Sequence, residues 1–157
     1  MKTTAEKPLY LLDEHLSYKF APVFQSLGYN MTSVEDVWHG RKNVEDPEII
    51  PWLGENGEHH AVWITEDWEA TKLHAKLIVS NKISVWWIRE EKHIGLTGLQ
   101  ELQLISLIIQ FVTDIILVSK SPTYLKASLI GRRPKLERMT CHLLSPKLTW
   151  GKVKLEY

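Results

Sequence analysis

Three short stretches of the sequence set carboxylates beside apolar runs or at a helix start. Leu9-Tyr10-Leu11-Leu12 leads directly into Asp13 and Glu14. Ala61-Val62-Trp63-Ile64 ends in Thr65, Glu66, Asp67 and Glu69. Between them, Asp46 and Glu48 bracket Pro47. Carboxylates gathered in one pocket repel one another, and some take up protons unless a cation lies between them. An all-oxygen set of this kind suits a hard divalent ion, Mg2+ or Mn2+. Such an ion binds phosphate oxygens, and two of them roughly 4 Å apart can clamp the attacking and leaving oxygens of a phosphodiester. A single ion would still polarise the phosphate and activate a water.

Those side chains meet only if the elements that carry them are neighbours. Residues 8–12 read as a buried strand. The spacing of Leu16, Phe20, Val23, Phe24 and Leu27 predicts a helix after it, ended by Gly28. Pro22 inside that pattern predicts a kink or a late start. Residues 29–34 form a second short strand and 39–45 a polar loop. Asp46-Pro47-Glu48 then reads as a helix start with Asp46 as N-cap. Pro51 and Gly54 keep that helix short or distorted. Residues 61–65 and 83–88 are further strands, separated by a helix that begins near Trp68 and carries Leu73, Leu77 and Ile78. Thr97 and Gly98 open a long helix to Val118. It is apolar nearly all the way round, which predicts burial on more than one side and favours a homodimer. A late strand over 123–130 and a turn at Gly131 complete the pattern.

Strands alternating with helices imply an α/β fold: three layers, α/β/α, around a central, mostly parallel sheet of four to five strands. In such sheets ligands bind outside the C-terminal strand ends. Asp13 and Glu14 therefore converge with Asp67 and Glu69 if strands 8–12 and 61–65 are adjacent. The expected organisation is one domain over residues 1–138 followed by a polar, basic tail over 139–157.

The chain has 157 residues, 44% hydrophobic and 24% charged, which suits a globular domain with a real core. Its one cysteine, Cys141, excludes an internal disulfide and suits a reducing compartment. The first eight residues, Met1 to Pro8, lack the apolar stretch of a signal peptide, so a cytoplasmic location is expected. The most apolar window, 102–118, is interrupted by Gln103, Ser106, Gln110, Thr113 and Asp114 and predicts no membrane span. Net charge is zero but unevenly spread: residues 1–119 carry 10 Lys and Arg against 17 Asp and Glu, and residues 120–157 carry 9 against 2. Arg132, Arg133, Lys135 and Arg138 form the densest cationic stretch. They either balance the acidic body or hold phosphates. Lys19, Arg41 and Lys42 are the basic residues closest to the acidic runs and could cradle a nucleic-acid backbone.

The order of these motifs resembles the PIN-like nuclease domains, in particular a small group similar to VapC-type toxins. Leu11-Leu12-Asp13-Glu14-His15-Leu16 matches the end of that group's first strand. Asp46, Glu48 and Ile49 match an acidic helix start, and Thr65, Asp67 and Glu69 a strand ending Thr-x-Asp-x-Asp. Glu69 stands where the pattern has Asp, and Ala70 where it has an aromatic residue. The resemblance spans about residues 8–90. It implies a PIN-like fold and cleavage of RNA aided by Mg2+ or Mn2+, with Asp13, Asp46 and Asp67 holding the ion and Glu69 positioning or deprotonating the water. Glu14 and Glu48 are second-line ligands. Lys19, Arg41, Lys42, Arg132 and Arg133 are the expected RNA contacts. If the protein is a toxin, a cognate antitoxin is its partner.

Each residue also has a plainer role. Asp46 and Asp67 are good N-caps, each worth about 1 kcal/mol in that role alone. Glu14 and Glu69 suit the first turn of a helix. The seven histidines show no metal-ligand spacing and read as surface residues. Cys141 has no activating neighbour in sequence. The tryptophans read as core, with Trp38 and Trp68 as candidates for base stacking. Two other functions compete with the nuclease: a non-catalytic RNA- or partner-binding module on the same fold, and a phospho-acceptor signalling domain. The latter needs a lysine after a late strand.

Overall fold

The structure is a computed structural model, and it describes residues 7–57, 60–90, 95–118, 122–130, 133–144 and 147–153. β1 (Leu9–Leu12) and β3 (Ala61–Thr65) are buried at every position. A strand covered on both faces needs an unbroken apolar run, and both sequences supply one. Alternate side chains enter different cores. Tyr10, Leu12, Val62 and Ile64 face one helical layer, and Leu9, Leu11, Ala61 and Trp63 face the other.

The remaining elements are α1 (Phe20–Ser26), β2 (Asn30–Ser33), α2 (Val34–Val37), α3 (Asp46–Asn56), α4 (Trp68–Leu73), α5 (Ala75–Ser80), β4 (Ser84–Glu90), α6 (Gly98–Val118), β5 (Tyr124–Ile130), β6 (Arg133–Leu144) and β7 (Lys147–Val153). All seven strands join one sheet in the order β2-β1-β3-β4-β5-β6-β7. The first five are mutually parallel; β6 and β7 are antiparallel additions. The α/β class and the largely parallel sheet agree with expectation. The count of four to five strands does not, because β6 and β7 pair as a hairpin that runs from the end of the expected domain into the stretch expected as a tail, 139–157.

Three further differences are local. α1 starts at Phe20, with Pro22 in its first turn, so the proline delays the helix. The helix expected from Trp68 onward is two helices with a break at His74. α3 starts with Asp46 as its first helical residue after Glu45 at the N-cap, so Asp46 does not cap it.

α1 and α6 cover one face of the sheet through Ala21, Phe24, Leu104, Ile105, Ile108 and Ile109. α3 and α5 cover the other through Ile49, Ile50, Leu53 and Ile78. The chain steps from β3 to β4 and from β4 to β5 in one direction, yet α5 and α6 lie on opposite faces. The β4–α6–β5 crossover therefore has the opposite hand to the other three, against a strong preference for a single, right-handed sense. Along α6, Leu99, Gln103 and Gln110 are exposed while Leu104, Ile105, Ile108 and Ile109 are buried. Over these positions the helix buries one side, not several. Among the described residues, no helix is long and apolar enough to cross a membrane.

Gly57 closes α3 and is buried against β3. A Cβ there would stand 2.3 Å from Ala61 Cβ and 2.9 Å from Ala61 Cα. Gly57→Ala should therefore destabilise the fold by about 1–3 kcal/mol, read as a lower urea midpoint. An unchanged midpoint would show that α3 and β3 separate without cost.

Candidate functional site

β2 lies on one side of β1 and β3 on the other, so the chain reverses its direction across the sheet between β1 and β3. Crevices at such reversals, outside the C-terminal strand ends, are where open α/β sheets bind ligands. Leu12 pairs with Ile64 in the parallel register, which brings Asp13 and Thr65 level at that edge.

Asp13 is buried at 6% exposure. Its Oδ2 accepts from the Thr65 hydroxyl at 2.6 Å and its Oδ1 from the Glu14 backbone N–H at 2.9 Å. Burial raises its carboxyl above the ordinary range, outweighing these two hydrogen bonds. Asp67 caps α4, its Oδ1 accepting from Ala70 N–H at 2.9 Å, while its own N–H donates to Thr65 Oγ1 at 3.1 Å. Asp46 is pushed up to about 6, first by burial and then by the charge of Asp13, with Asp67 and Glu14 adding to it. Asp13, Glu14, Asp46 and Asp67 thus share one electrostatic neighbourhood although they come from three parts of the chain.

His74, at the break between α4 and α5, sets Nε2 3.7 Å from Asp46 Oδ2, and both side chains are mostly buried. It is not an ordinary surface histidine. Sequence spacing gave no sign of it, because the contact depends on the break itself. Glu66 and Glu101 were also missed as a pair. Glu66 is pushed up to about 8 by burial, by hydrogen bonding to Glu101 and by the charges of Glu101 and Asp13. Its Oε1 is buried without a hydrogen-bond partner among the described residues. At neutral pH burial and the neighbouring carboxylates therefore favour the protonated form of Glu66.

Other expected residues lie elsewhere. Glu69 is 81% exposed and pairs with Lys72 at 2.9 Å on its own helix, turned from the cluster. Glu48 pairs with Arg41 in the open. Lys19 and Lys42 are exposed. Lys19 precedes α1 and Lys42 lies in the loop before α3, both on the edge that carries Asp13. Arg133 is exposed at the same edge but beyond β4 and β5. Arg132, His59 and the side chains of Trp68 and Cys141 lie outside the described residues. Trp38 packs on Trp52, ring centroids 5.5 Å apart, against the core on the α3 face.

The donor chemistry fits a hard divalent cation, since it is all carboxylate and two of its members are held above their ordinary range by burial and like charge. The spacing is open: among the described residues no three His, Cys, Asp or Glu side chains lie close enough together to hold a metal ion. No protein-family model matches the chain, and no curated protein or solved structure matches it in sequence or fold.

The protonation pattern has a consequence for stability. Glu66 ionises near 4.5 in the unfolded chain and near 8 when folded, and Asp46 near 3.8 and near 6. Between each pair of values the folded state binds the extra proton, so stability is greatest below the lower value, falls as pH rises and levels off above the higher one. The thermal midpoint should drop between pH 5 and pH 8. Glu66→Gln should flatten the upper part of that fall, so that its advantage over wild type grows with pH. Parallel melting curves for the two proteins would contradict the assignment.

Proposed function

We propose that the protein is a metal-dependent endoribonuclease of PIN-like type, with Asp13, Asp46 and Asp67 as the residues that would hold Mg2+ or Mn2+. One observation carries this: carboxylates from β1, α3 and the end of β3 meet in one electrostatic neighbourhood at the sheet's reversal point. The cation, when bound, would polarise the phosphodiester and activate water. The chain's own groups prepare the site. Thr65 fixes the orientation of Asp13. Asp46, free of any capping bond, can turn its carboxylate toward the ion. Lys19 and Lys42 offer charge to the backbone of a strand laid along this edge. Glu66 supplies a proton. Glu69, assigned by resemblance to the water, would have to leave Lys72 to act. The toxin role and the antitoxin partner rest on the resemblance of the motifs.

A second reading, a non-catalytic RNA- or partner-binding module, is favoured by the outward turn of Glu69 and the open spacing of the carboxylates. The phospho-acceptor reading gains from the strand order, which receiver domains share. It lacks the lysine at the end of β5, where Lys126 sits mid-strand opposite Trp87.

Purified protein should cleave single-stranded RNA when Mn2+ or Mg2+ is added, and Asp13→Asn should lower the rate by about a hundredfold or more. Mn2+ should also raise the thermal midpoint of the wild type and leave that of Asp13→Asn unmoved. Full cleavage in excess chelator would reject the proposal. Intact RNA binding without metal binding or cleavage would select the binding module.

A further inference from the structure

Glu14 follows Asp13 but does not use its carboxylate as Asp13 does. Its Oε1 accepts from the backbone N–H of Val44 at 3.3 Å, across 30 positions of sequence. Val44 is buried, 6% exposed, and packs in the core on the α3 face. It sits between the loop 39–43 and the first residue of α3, Asp46. That loop is held in an unusual shape: His39, Gly40 and Asn43 all have positive φ, at 53°, 75° and 60°. Two residues outside glycine in this region make the loop costly to form without external support. Pro47 marks the start of α3, but Glu45 offers it no side-chain cap, so no local side-chain bond ties the preceding segment to the helix. Leu16 N–H donates to Asp13 O at 3.0 Å, so the backbone that carries Glu14 is a closed turn.

We infer that Glu14 is a positioning residue: its carboxylate latches the segment before α3 to the end of β1 and so places Asp46 opposite Asp13. The latch needs an acceptor oxygen and no charge. That separates it from a metal ligand, which needs the charge. Gln keeps the acceptor and loses the charge; Ala loses both. The cleavage readout of this inference rests on the nuclease proposal; its exchange readout does not.

The test compares wild type, Glu14→Gln and Glu14→Ala in two measurements. Amide hydrogen exchange at Val44 should be slow in wild type and in Glu14→Gln and about fivefold or more faster in Glu14→Ala. Mn2+-dependent RNA cleavage should persist in Glu14→Gln within a few fold, and fall by about tenfold or more in Glu14→Ala through kcat. Two results overturn the latch: equal loss of cleavage in both variants, which makes Glu14 a ligand, or unchanged Val44 exchange in Glu14→Ala. If wild type cleaves no RNA, the nuclease proposal fails and Val44 exchange alone decides the latch.

Discussion

The Thr65 hydroxyl donates to Asp13 across 52 positions of sequence, at 2.6 Å and away from solvent. The rest of the site depends on that contact and on the strand pairing that permits it. Asp13 N–H donates to Ile64 O at 3.0 Å, so the ladder between β1 and β3 runs right up to the acidic residue. A slip of one residue would turn Asp13 into a helical layer and move Thr65 off it. A buried carboxylate without donors costs several kcal/mol or gives up its charge. Here a hydroxyl and one backbone N–H answer it, and Thr65 in turn accepts from Asp67 N–H. One hydroxyl thus organises the ends of both strands.

Burial and like charge compete differently at each carboxyl. At Asp13 burial dominates, and the hydrogen bonds recover only part of the loss. At Asp46 burial again leads, with Asp13 the next contributor. The like charges of Asp13 and Asp46 therefore carry a standing cost when both groups ionise. A divalent cation would remove it at Asp13 and Asp46 together. His74 relieves Asp46 alone and only when protonated. On the proposed reading, a doubly charged guest would relieve both carboxylates, whereas His74 reaches only Asp46.

Asp13 and Asp67 were legible in the sequence because their signal is local: an apolar run buried on both faces must end, and the residues just past it stand at the sheet edge. Asp46 was legible as a helix-start acid but off by one position. The preceding Glu45 takes the N-cap geometry without a capping bond, which pattern alone does not distinguish. Glu101 was illegible for a topological reason. A crossover of the usual hand would carry α6 to the α3 face; the observed hand carries it to the α1 face, where its first turn meets Glu66. The β6–β7 hairpin was missed because antiparallel strands at a sheet edge need only one apolar face. Leu148-Thr149-Trp150 alternates where β1 and β3 run apolar without a break.

That hairpin is more than an extension of the sheet. Met139 pairs with Tyr124 at the start of β5, and β6 continues past it to Leu144 before β7 returns. β7 comes back against α4 and α5, the two helices that join β3 to β4. α4 is only six residues long and is capped by Asp67, while α5 begins at the break that presents His74. Helices this short draw little stability from their own hydrogen bonds and depend on the elements packed around them. A basic segment that composition would detach as a tail therefore touches the elements that aim two groups at the carboxylate cluster. Its removal would act on Asp67 and His74 through their helices, without either side chain being altered.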